Sequence, residues 1–128
     1  VSRVYFDVGS VDDELLKDSL TPEAIEKSSR YIEDLAYGLG VEVRDIVDPV
    51  PFKVSELAED YALMETAKKK SMMNSNGTTE GADAYELKRR VYAREVSELE
   101  GQITADMLEG TDSVKRRTFP GSVPIYRC

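Results

Sequence analysis

The chain has 128 residues, 41% hydrophobic and 33% charged, with a formal net charge of −8, the size and balance of one domain built on a single core. No apolar run approaches the roughly 20 residues of a membrane span, and the opening VSRVYFDVGS lacks the hydrophobic block of a signal peptide, so an intracellular protein without membrane contact is expected. Histidine is absent and Cys128 is the only cysteine, which excludes Cys/His zinc sites, an intrachain disulfide and any histidine-based triad or general base, and leaves no expected metal, cofactor or catalytic residue.

Residues 1–9 read as a short extended arm, with Val4, Tyr5, Phe6 and Val8 favouring strand-like backbone. Ser10 followed by Asp12 and Asp13 reads as a capped start for a first short helix over about 11–19, with Val11, Leu15 and Leu16 on its apolar side. In LTPEAIEKSS the start is clearer. Thr21 caps, Pro22 suits the first turn and Glu23 faces the positive end of the dipole. Ile25, Ile32, Leu35, Ala36 and Leu39 recur at helical spacing and Gly38 and Gly40 stop the run, which predicts a helix over 22–38.

Pro49 and Pro51 bias Asp48 and Val50 away from helical angles, so 41–53 reads as an elbow. A third helix is expected from near Pro51–Ser55 to about Met72, with Val54, Leu57, Ala58, Tyr61 and Met64 or Glu65 along one side. Residues 74–83, NSNGTTEGAD, have the composition of a loop. A long helix over about 82–109 follows, with Tyr85, Tyr92, Val96, Leu99, Ile103 and Met107 as its stripe. That length corresponds to roughly 40 Å. Gly101 is its one interior breaker and Gly110 its end. The fold class predicted is all-α, a bundle of about four helices over 1–110 with extended arms at both ends.

The charged residues offer little chemistry. Asp12, Asp13 and Glu14 lack the spacing of an EF-hand loop and have a sufficient role at a helix start. Glu33-Asp34 and Glu59-Asp60 lie opposite apolar stripes and read as solvated faces. Lys88, Arg89, Arg90 and Arg94 form a basic turn, either a phosphate contact or a face neutralised by intrahelical pairs such as Arg94–Glu98. Gly77 and Gly81 follow a helix within a polar loop, the wrong context for a phosphate-binding motif. Most tyrosines fall on or beside helical stripes and read as core, while Tyr5 and Tyr126 lie on the arms.

Charge is unevenly spread: residues 1–67 carry 16 acids against 6 bases, and residues 68–128 carry 9 against 11. The last stretch, SVKRRTFPGSVPIYRC, holds Lys115, Arg116, Arg117 and Arg127 with no acid, and spaces Phe119, Val123, Ile125 and Tyr126 among Pro120 and Pro124. Its two readings are an unstructured end and a docking arm over 111–128. Large apolar residues, prolines that reduce the entropy lost on ordering, and basic groups that steer to an acidic receptor all suit the second.

The succession LTPEAIEKSSRYIEDLAYG, VDPVPFKVSELAEDYAL and DAYELKRRVYAREVSELEGQI, followed by that tail, resembles the head-to-tail connector (adaptor) proteins of tailed bacteriophages over roughly residues 10–110. The resemblance implies a non-enzymatic virion component of the phage neck, assembled in the host cytoplasm. It implies a closed ring of roughly twelve copies between the portal protein and a head-closure or tail protein. Residues 111–128 would be the portal-docking arm, and the long helix would pack between subunits through Tyr85, Lys88, Arg89, Arg90 and Arg94. DNA would pass an acidic channel wall without specific binding. The competing expectation is a free helical adaptor or regulator that binds one protein partner, or DNA through Lys88, Arg89, Arg90 and Arg94.

Overall fold

A computed structural model describes residues 3–73 and 79–110, and among them every regular element is helical. The α-helices are α1 (Pro22–Gly38), α2 (Phe52–Met73), α3 (Thr79–Glu100) and α4 (Ala105–Glu109), with 3-10 turns at Val8–Ser10, Lys17–Ser19 and Val43–Asp45.

Helix α1 has the bounds that its sequence predicts. Thr21 accepts a hydrogen bond from the Ala24 amide at 3.1 Å and Pro22 occupies the first turn. Ala24, Ser28, Ile32 and Ala36 recur every four residues and are buried. Beyond Leu39, Gly40 takes φ +84°, in the left-handed region, and turns the chain toward the elbow. The elbow stands as expected, with a short 3-10 turn and a cis Asp48–Pro49 bond.

Helix α2 is the middle of the bundle. It runs antiparallel to α1, as Lys27–Glu65 and Lys69–Glu23 (both 3.4 Å) and the stacked rings of Tyr31 and Tyr61 (centroids 4.3 Å apart) show. Its other side packs on α3. Val54, Leu57, Ala58, Ala62, Leu63 and Ala67 are therefore all buried, although they do not share one narrow stripe. Small residues let the helices approach closely: the Ser28 hydroxyl donates to the Ala58 carbonyl at 2.7 Å.

Three expectations are corrected. Residues 11–19 do not form an α-helix. A turn followed by the 3-10 turn Lys17–Ser19 stands there, and the Asp13 carboxylate, not Ser10, accepts the free amides of Leu15 and Leu16 at 2.9 and 3.0 Å. A side chain that captures two amides offers the backbone an alternative to helix continuation. Second, Tyr5 is core and not part of a free arm: it is 3% exposed, buried with Phe6, and its hydroxyl donates to Glu33 at 3.0 Å. Third, the long helix is two helices. It begins at Thr79, within the stretch whose composition reads as loop, and ends at Glu100. Residues Gly101–Ile103 break it, and Thr104 caps α4 by accepting the Met107 amide at 3.2 Å. Glycine weakens a helix interior by about 1 kcal/mol relative to alanine, and a competing cap three residues on converts that weakness into a break. The predicted stripe still faces inward, with Val96 and Ile103 buried and Tyr85, Tyr92, Leu99 and Met107 packed against the core.

The two ends of the described chain meet at the elbow. The Arg3 guanidinium donates to the Ile46 and Val47 carbonyls at 3.0 and 2.6 Å and lies over the Tyr5 ring, 4.9 Å from its centroid. The Val47 amide donates to the Leu108 carbonyl at 2.7 Å. Gly110, at φ +75°, lies so close that a Cβ there would stand 3.0 Å from Val47 Cγ2.

Candidate functional site

The bundle carries a seam of polar groups where the N-terminal segment, α2 and α3 meet. At one end is Asp13, whose side chain is 3% exposed. Besides the Leu15 and Leu16 amides it takes a short hydrogen bond from the Tyr92 hydroxyl and one from Lys88 Nζ at 3.1 Å. Burial pushes the Asp13 carboxyl up, but the bonds from Tyr92, Lys88 and Leu16 outweigh it, and its pKa lies below the ordinary carboxylate value. Burial and then the bond to Asp13 raise the Tyr92 hydroxyl above the usual tyrosine range.

Further along is Asp60 on α2, 5% exposed, in hydrogen-bonding contact with Glu95 on α3. The sequence reading of Glu59-Asp60 as a solvated face is overturned. α2 has neighbours on two sides, so a position opposite its α1-facing stripe is buried against α3. The neighbouring Glu59 is half-buried, and burial followed by repulsion from Asp12, Glu56 and Asp7 raises its carboxyl. Glu33-Asp34 divides: Glu33 holds the Tyr5 hydroxyl, whereas Asp34 is exposed. A third polar contact closes the bundle, a short hydrogen bond from the Tyr31 hydroxyl on α1 to Glu100 at the end of α3.

The residues singled out for inter-subunit contact are mostly engaged within the chain. Tyr85 is half-buried against the core and Lys88 is held by Asp13. Glu86 takes Arg89 at 2.7 Å and Arg90 at 3.1 Å. The bonds from these two arginines draw the Glu86 carboxyl down to about 2, Arg89 having the larger effect. The basic turn is therefore neutralised locally, as one sequence reading has it, but by different pairs: no Arg94–Glu98 ion pair forms, and Arg94 is exposed. All the docking-arm residues, Lys115, Arg116, Arg117, Phe119, Pro120, Val123, Pro124, Ile125, Tyr126 and Arg127, lie outside the described residues.

A groove of about 710 Å³ runs between the start of α1 and the end of α2, lined by the apolar Leu20, Ala24 and Met72 and by the charged Lys27, Glu65 and Lys69. Large apolar side chains stand exposed at the opposite end, notably Tyr37 (84%) and Phe52 (77%). Among the described residues no three acidic or cysteine side chains are grouped to hold a metal ion, and no helix is long and apolar enough to cross a membrane. The buried seam is the feature that sequence reasoning missed. The local signal for it was slight: Asp60 falls between Leu57-Ala58 and Tyr61-Ala62, but Glu59 beside it makes the pair read as a solvated face. Compared with protein-family models, with curated proteins and with solved structures, the chain matches none.

Proposed function

We propose that this chain is a non-enzymatic ring component of a tailed-phage neck, an adaptor that joins the portal protein to a head-closure or tail protein and continues the DNA path. The observation that carries the reading is the order of elements: a capped α1, a proline elbow, the antiparallel pair α2 and α3, and then a basic, proline-spaced segment after Gly110. An acidic helical body followed by a basic, apolar tail fits a subunit that presents a repulsive wall to DNA and reaches for a partner with its end. The competing reading, DNA binding through Lys88, Arg89, Arg90 and Arg94, would require Asp13 and Glu86 to surrender the cations they hold.

Electron microscopy of the assembly that co-purifies with the tagged protein tests the proposal. A closed ring stacked on a larger radial body is the expected result, and a discrete small complex with no ring at any concentration overturns it. A chain ending at residue 110 should keep its helical circular dichroism and lose portal binding. Binding retained by that truncation would remove the docking role from 111–128 while leaving the ring itself untouched.

A further inference from the structure

Asp60 and Glu95 pose a problem of hydrogen-bond accounting. Asp60 is 5% exposed on α2 and its Oδ2 has no hydrogen-bond partner, while the Glu95 carboxyl of α3 stands within hydrogen-bonding reach of the same side chain. Two ionised carboxylates offer acceptors only, so as a pair of anions they would leave a buried oxygen orphaned and two like charges in contact. A buried, unpartnered acceptor is destabilising, and more so when it is charged.

Among the described residues the groups acting on Asp60 are all acidic, with no cation to relieve it. From α3, Asp60 faces Glu95 and Tyr92, and Tyr92 already donates to Asp13 of the N-terminal segment. From its own helix the charged groups acting on it are Glu56 and Glu59. Lys88, the cation on this side of α3, has its ammonium on Asp13. A proton is the cation that fits. It turns one carboxyl into a donor to the other, gives the orphaned oxygen a role in that bond and removes the repulsion.

We infer that Asp60 and Glu95 share one proton at neutral pH and that this proton is a clasp between α2 and α3, released in mildly alkaline solution so that the helix pair loosens. Burial, then the bond to Glu95, then the charges of Glu95, Glu56 and Glu59 push the Asp60 carboxyl up to about 8, in keeping with the geometry. The direction of the linkage follows. The folded chain holds a proton that the unfolded chain loses near the ordinary carboxylate value. Stability from the pair is therefore complete in acid, falls as pH rises, and is exhausted once the folded pair has itself ionised. The inference is independent of the ring reading, since it concerns one chain.

The test compares the full chain with Asp60→Asn, which fills the same space, can still donate to Glu95 and does not titrate. Thermal and urea unfolding are followed from about pH 5 to about pH 9. The expected result is a wild-type unfolding constant that rises relative to the variant by up to about tenfold per pH unit over the lower part of that range. Parallel profiles overturn the clasp. Should Asp60→Asn fail to fold, carbon-13 titration of the wild-type side-chain carboxyls decides. One of the two resonances with a midpoint above about 6.5 upholds the shared proton, and both below it overturn it.

Discussion

Asp13 does the most with a single side chain. Two oxygens serve the amides of Leu15 and Leu16, the Tyr92 hydroxyl and the Lys88 ammonium, so one carboxylate shapes the N-terminal turn and fastens it to α3. Replacing it with alanine leaves two amides and a cation without their acceptor. Urea unfolding should show Asp13→Ala less stable by about 3 kcal/mol. Because its folded pKa is depressed, its contribution is present above the ordinary carboxylate range and lost as pH falls through the folded value, the opposite sense to Asp60. Asp13→Asn should therefore lose less additional stability than wild type on acidification below about pH 4, which thermal melts at acid pH can follow. The acid itself was legible at a helix-like start, as Ser10-Val11-Asp12-Asp13 shows. Its partners were not, because Lys88 and Tyr92 lie 75 and 79 residues away and local patterning carries no information at that distance.

At the scale of elements, legibility followed the strength of the local stop and start signals. Thr21-Pro22 and the glycines after Tyr37 fix α1 to the residue, since cap, first-turn proline and left-handed exit all agree. The 82–109 stripe continued in register through Gly101, so periodicity alone joined α3 to α4, although Thr104 could be read as a cap only once the break was known. Residues 79–81 carried loop composition yet belong to α3, composition being a weak guide to where a helix begins. The two left-handed glycines allow a controlled comparison. Both Gly40→Ala and Gly110→Ala force a side chain into positive φ, at about 1–2 kcal/mol. At Gly40 a Cβ meets nothing within 4 Å, whereas at Gly110 it meets Val47 at 3.0 Å. Gly110→Ala should accordingly lower the thermal midpoint further, by the equivalent of about 1 kcal/mol more. Equal shifts would mean that Val47 moves aside freely.

For the molecule as a whole, the arrangement of helices around α2 decides where stability resides. Leu57 is fully buried, as are Leu63 and Val54 on the same helix, and Ile32 faces it from α1. Truncating Leu57 to alanine removes packing at the centre and should cost about 2–5 kcal/mol by denaturant titration. That is a large fraction of what a domain of this size commands. The all-helical class was legible because capped, periodic segments dominate the chain. The middle position of α2 was not, since a helix with neighbours on two sides blurs its own periodicity, and Asp60 was misplaced for the same reason. The elbow carries one more consequence. Arg3 and Gly110 both come to rest on Val47, so the described polymer is nearly a ring in its own right. Its ends lie within the span of a few residues, and the fold already bears the entropy of bringing them together. The body of residues 3–110 therefore invites circular permutation: a short bridge from residue 110 to residue 3 would close it while new ends are opened elsewhere.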